Sequence, residues 1–86
     1  MNQFEARVFV RLRPSVLDPA GEAIKSAANK LGVDGISSLR IGKLIEINIE
    51  GNKEKDMEQN IELLCDRLFA NQVIENYDYF VKRLDD

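Results

Sequence analysis

The chain has 86 residues, with 12 Lys and Arg against 15 Asp and Glu for a net charge of −3, one cysteine and no histidine. That length predicts one small domain with a limited core, and the acidic balance argues against a general nucleic-acid binder, which needs a surplus of cations to neutralise phosphates. Without histidine the chain lacks the commonest general base near neutral pH, and a lone cysteine builds no disulfide framework, Cys–His couple or zinc site.

Residues 4–12 alternate: Phe4, Ala6, Val8, Val10 and Leu12 on one face, Glu5, Arg7, Phe9 and Arg11 on the other. A period of two over this length predicts a half-buried strand. Arg13-Pro14 closes it, because proline has no amide for the next ladder bond. Asp18-Pro19 then starts a helix. The Asp18 carboxylate can accept from unpaired amides of the first turn, and Pro19 at the first helical position loses no bond. Ile24, Ala27, Ala28 and Leu31 follow at helical spacing, the small alanines suit close packing on a sheet, and Gly32 supplies the left-handed stop.

Residues 36–40 predict a short strand and residues 43–50 a longer one, with Gly42 between them as a hairpin or bulged corner. In the longer strand Ile45, Ile47 and Ile49 face one way, and Leu44, Glu46, Asn48 and Glu50 the other. The turn at Gly51-Asn52 leads into a second helix over residues 55–70, with an apolar stripe of Met57, Ile61, Leu64, Cys65 and Leu68. Cys65 on that stripe reads as a packing residue. Asn71 reads as a helix stop that tolerates a left-handed backbone. A last strand covers residues 75–83, with Tyr77, Tyr79 and Val81 on one side.

The predicted order is therefore β-α-β-β-α-β. It implies an α+β fold with a single domain over residues 1–86: a two-layer sandwich whose two helices cover one face of a mainly antiparallel four-stranded sheet. The other face carries Arg7, Phe9 and Arg11, then Leu44 and Glu46, then Phe80 and Lys82. Two phenylalanines and a leucine on an open face form a patch, and a patch implies a partner, so Phe9, Leu44 and Phe80 are candidate subunit-contact residues. Arg40 and Lys43 flank Gly42 and read either as a solvated hairpin tip or as a docking point for an acidic surface.

No residue pattern marks a catalytic, cofactor-binding or metal site. The start Met1-Asn2-Gln3-Phe4-Glu5 lacks the basic and apolar runs of a signal peptide, and no apolar stretch approaches the roughly 20 residues of a membrane span. A cytoplasmic protein without membrane contact is expected. Two other functions fit the element order. An RNA-recognition module stacks bases on an open sheet, but Glu5, Glu46, Glu50 and Asp78 share this face. A ferredoxin-like amino-acid sensor would need a polar ligand cluster, which is missing, and fold alone assigns no function.

Three blocks in one order carry a resemblance: Leu17-Asp18-Pro19-Ala20-Gly21, Arg40-Ile41-Gly42-Lys43 followed by Glu46, and Leu68-Phe69-Ala70-Asn71-Gln72-Val73-Ile74-Glu75-Asn76-Tyr77. In this the chain resembles the PurS subunits of phosphoribosylformylglycinamidine synthase, over essentially its whole length. Ala20 stands where glutamine is usual and Asn76 where aspartate is usual. The resemblance implies a small non-catalytic subunit of a purine-pathway amidotransferase, itself a homodimer or dimer of dimers. It would bridge a PurQ-like glutaminase and a PurL-like synthetase and support ammonia transfer to formylglycinamide ribonucleotide. ATP and magnesium would belong to the synthetase, with no cofactor on this chain.

Overall fold

β1 (Asn2–Leu12) is the middle strand of a three-stranded antiparallel sheet, between β2 (Gly42–Gly51) and β3 (Glu75–Leu84). The structure is a computed structural model and describes residues 2–84. α1 (Pro19–Lys30) lies between β1 and β2, and α2 (Glu54–Leu64) between β2 and β3. The alternation in β1 becomes its burial pattern, with Phe4, Ala6, Val8 and Val10 all buried. Ile61 and Cys65 of the second helical segment cover that row. Ile45, Ile47, Tyr77, Tyr79 and Val81 pack around it from the flanking strands. Burying each large aliphatic or aromatic side chain contributes about 1.5–3 kcal/mol, so this one helix–sheet layer holds most of the core.

The expected fourth strand is absent among the described residues. Residues 36–40 run without ladder bonds and pair with neither outer edge of the sheet, because the segment is held beside α1, by Lys25 at Ser37 and by the close approach of Gly21 to Leu39. Side chains satisfy the segment instead: Lys25 donates to the Ser37 carbonyl at 3.1 Å, and the Ile41 amide donates to Asp18 at 2.8 Å. Gly42 is no hairpin corner. It opens β2 opposite Arg11, where an added Cβ would lie 2.6 Å from the Val10 carbonyl oxygen. The observed order is thus β-α-β-α-β.

α1 begins and ends as its residues dictate. Asp18 caps its first turn. At its far end Gly32 (φ +93°) donates to Asn29, and Val33 donates to Ala28 at 3.1 Å, the paired closure of a Schellman motif. Yet α1 does not lie on the sheet, and two helices on one face is corrected to one. Gly21 is its only buried residue, and Leu31 is 84% exposed. The stripe of Ile24, Ala27, Ala28 and Leu31 is real but finds no apolar wall among the described residues.

The second helix starts close to expectation and then changes form. After Leu64 it widens into one π turn, Cys65–Phe69, closed by the Ala70 amide on the Cys65 carbonyl at 3.2 Å. A π turn takes more residues per revolution, so three residues on from Cys65 no longer reaches the buried face, while four residues nearly completes a turn. Leu68 is accordingly exposed, and Phe69 packs against the core in its place. Asn71 stops the helix by a different route from the one expected. No non-glycine residue among those described has a positive φ. Instead its side-chain oxygen accepts from the Val73 amide at 3.1 Å, and its carbonyl accepts from Ile74 and Glu75.

The outcome is an extended plate measuring 52 × 32 × 14 Å. Its radius of gyration is 16.8 Å, against about 12 Å for a compact domain of this length.

Candidate functional site: the neck and the open sheet face

The three sequence blocks meet at one end of the sheet. Strand register places Arg11 opposite Gly42 and Leu12 opposite Glu75, so β1 ends where β2 and β3 begin. The chain leaves the sheet at Arg13, forms α1, and returns at Ile41. This crossing is the neck. Arg13 ties it to the third block: its amide donates to the Ile74 carbonyl at 2.8 Å and its guanidinium donates to the Gln72 carbonyl.

Asp18 and Arg40 join the outgoing and returning segments. Asp18 Oδ1 accepts from the Gly21 amide at 2.9 Å, and Oδ2 accepts from the Ile41 amide at 2.8 Å. The carboxylate is buried. The Ile41 amide first, then the Gly21 amide, hold its pKa below the usual carboxylate value, opposed by burial and helped by the Arg40 charge. Arg40 Nη2 donates to the carbonyls of Arg13 and Val16, both at 2.8 Å. Arg40, which the sequence left as either a solvated tip or a docking point, is exposed and bonds to its own chain. Gly21 was overlooked in the sequence. A Cβ there would lie 2.5 Å from the Leu39 carbonyl oxygen. The signal was available, since glycine in a first helical turn sacrifices about 1 kcal/mol of helix propensity and so points to a close approach.

The open sheet face assembles three of the sequence candidates. Phe9 stands directly opposite Leu44, and Phe80 stands opposite Arg7, one step along. The Phe9 and Phe80 ring centroids are 6.2 Å apart with planes tilted by 31°, within the favourable range for aromatic pairs. All three residues are partly exposed. Around them the charges pair: Arg7 with Glu5 and Glu46 at 3.8 and 3.7 Å, Lys82 with Glu5 at 4.0 Å, and Arg11 with Asp78 at 2.6 Å. The face is apolar at its centre and charge-balanced at its rim. Lys43 stands opposite Val10, hence on the other face, and does not join this patch.

The opposite face is incompletely covered. Ile45, Ile47 and Ile49 of β2 remain half-exposed beside the buried row of β1. Cys65 is fully buried, and burial first, then the nearby Glu62 carboxylate, push its thiol up to about 11. A thiol in that state is a packing group, since the thiolate is the nucleophile. Tyr77 donates to Glu62 at 3.1 Å, and Tyr79 is pushed up to about 12, mainly by burial. Among the described residues no cluster of three or more Cys, Asp or Glu is placed to hold a metal ion, and no helix is long and apolar enough to cross a membrane.

Residues 5–83 match the family model described as PurS, phosphoribosylformylglycinamidine (FGAM) synthase. The chain is 46% identical over 84 residues to the phosphoribosylformylglycinamidine synthase subunit PurS of Synechocystis, covering 98% of this chain and 84% of that one. It is 36% identical over 81 residues to the PurS subunit of Bacillus subtilis, covering 94% and 95%. Among solved structures, the PurS of Methanocaldococcus jannaschii, one of the subunits of formylglycinamide ribonucleotide amidotransferase, superposes with a TM-score of 0.84 at 32% identity, covering 95% and 99%. A chain of the PurLQS structure from Thermotoga maritima gives 0.86 at 28% identity, covering 98% and 100%.

Proposed function

This chain belongs to the PurS family of phosphoribosylformylglycinamidine synthase subunits, and we propose that it works there as a bridge and not as a catalyst. It holds a PurQ-like glutaminase and a PurL-like synthetase in register in the cytoplasm, so that ammonia released from glutamine reaches formylglycinamide ribonucleotide. ATP and magnesium bind the synthetase. The chemistry of this chain supports that division: glutamine hydrolysis through a thioester needs an activated cysteine, and the one cysteine here is buried and protonated. The RNA-binding alternative is disfavoured by the open face, whose arginines are already paired with carboxylates. The amino-acid-sensor alternative gains no support from the comparisons.

The observation that carries the bridging reading is unsatisfied surface. The chain exposes 6214 Å², against about 5,200 Å² for a compact monomer of 9.8 kDa. The excess, about 1,000 Å², is what one partner contributes to a standard interface. Two regions offer apolar surface for such contacts: the α1 stripe with the half-exposed isoleucines of β2, and the open face with Phe9, Leu44 and Phe80. The first supports a homodimer in which α1 of one copy covers the β2 row of the next. The second supports a further subunit contact, in a dimer of dimers or against a larger subunit. Lys43, exposed at the neck, offers a cation to an acidic partner surface.

The test is reconstitution. Glutamine-dependent synthesis should collapse when this subunit is omitted, while synthesis from high ammonia persists in the synthetase alone. Equal loss of both would overturn the bridging role.

A further inference from the structure

We propose that Asp18 and Arg40 are positioning residues: together they clamp the neck and hold α1 at a set angle off the sheet, so that its stripe is presented to a second copy of the chain. This rests on the self-association reading above. α1 has almost no contact with any other element, so packing does not decide where it points. Its direction is decided where the chain leaves and rejoins the sheet. Two connections through single backbone segments would leave the excursion free to swivel about them.

Both residues remove that freedom in the same way, by tying the outgoing segment to the returning one. An ordinary helix cap uses one side-chain oxygen on an amide of the first turn. Asp18 does this with Oδ1 on Gly21, and places its second oxygen on Ile41, 23 residues later. Arg40, on the returning segment, reaches back to the carbonyls of Arg13 and Val16 on the outgoing one. Its charge also lies close enough to favour the ionised Asp18. Gly21 lets the two segments touch by leaving room for the Leu39 carbonyl. These bonds cross the neck in both directions, and charge-assisted bonds of this kind are stronger than neutral ones.

The clamp has a consequence for association. A helix pre-set in its binding direction loses less freedom on docking than one that swivels, and that difference appears in affinity. The apolar stripe alone would favour any apolar surface, including the chain's own half-covered sheet. A fixed neck restricts it to a surface on another molecule.

Two variants separate the clamp from the cap. Asp18→Ser keeps a good capping oxygen for Gly21 but is too short to reach Ile41. Arg40→Met keeps the aliphatic stem and removes both donors. Each would be measured by circular dichroism, by hydrogen exchange of the Ile41 amide, by sedimentation over a concentration series, and in the reconstituted three-subunit complex. The expected result is unchanged helix content, faster Ile41 exchange, and a dimer dissociation constant raised at least tenfold. Glutamine-dependent synthesis should fall while ammonia-dependent synthesis is unaffected. Omitting the subunit gives the same split, so unchanged helix content with faster exchange confined to the neck is what separates a loosened clamp from an unfolded subunit. An assembled wild type whose two variants dissociate at the wild-type constant overturns the clamp and leaves the self-association reading standing. A wild type that sediments as a monomer throughout overturns the self-association reading itself.

Discussion

The first turn of α1 passes so near the returning chain that a Cβ on Gly21 would lie 2.5 Å from the carbonyl oxygen of Leu39. That oxygen belongs to the backbone, so the clash is not relieved by a side-chain rotation. Gly21→Ala should gain about 1 kcal/mol of helix propensity and lose more to overpacking, which typically costs 1–3 kcal/mol. The expected net effect is a lower melting temperature, by roughly 4–8 °C per kcal/mol in a domain of this size. Thermal unfolding at matched protein concentration checks it, and an alanine variant that melts higher than wild type removes the close approach as an explanation.

The neck should be sensitive to acid. The Asp18 pKa is lowered from 3.8 in the folded state, chiefly by the Ile41 and Gly21 amides. A depressed carboxylate contributes stability that is complete above its unfolded value and is lost as pH falls through its folded one. The contribution should therefore be intact at neutral pH and disappear below about pH 3.8. Comparing acid unfolding of wild type with Asp18→Asn tests the sign: the gap between them should be widest near neutrality and close at low pH.

Cys65 should be inert in the folded protein. Its thiol is fully buried and pushed up to about 11, so at pH 8 almost no thiolate is present and a reagent has no path to it. Labelling with a thiol-specific reagent should be slow in buffer, by at least a hundredfold relative to the chain in denaturant. Rapid labelling of the native protein would contradict the packing of the second helix.

Phe9 and Phe80 should matter for assembly more than for folding. Both are partly exposed and meet at 6.2 Å on the open face. Replacing both with alanine should leave the far-ultraviolet spectrum unchanged and reduce the size of the assembly seen by sedimentation. A profile identical to wild type would remove this face from the list of contacts.

Much of the architecture was readable because it is local. The period of two in β1, β2 and β3, the Asp18-Pro19 start and the Gly32 stop each depend on residues within a few positions. The same periodicity placed Phe9, Leu44 and Phe80 on one face before any contact was seen. The errors came from long-range competition. Residues 36–40 look like a strand, but a strand needs a ladder partner, and this segment is held beside α1 at Ser37 and Leu39 and pairs with neither outer edge of the sheet. The switch from Leu68 to Phe69 came from a π turn, which heptad-like spacing does not anticipate. Arg40 is an exposed cation, as its position suggested, but its bonds to the Arg13 and Val16 carbonyls span 27 and 24 residues and lie beyond local spacing.

By its residues alone the chain settled which segments coil or extend and which side of each is apolar. Those are consequences of short-range sterics, capping and periodicity, which act within a turn or two. The fold in three dimensions settled that α1 stands away from the sheet and that the three sequence blocks share one neck. An amphipathic stripe specifies that a helix must be covered, but the hydrophobic effect is non-directional and does not specify by what. Directional bonds across the neck, from Asp18 to Ile41 and from Arg40 to Arg13 and Val16, supply the orientation that burial leaves open.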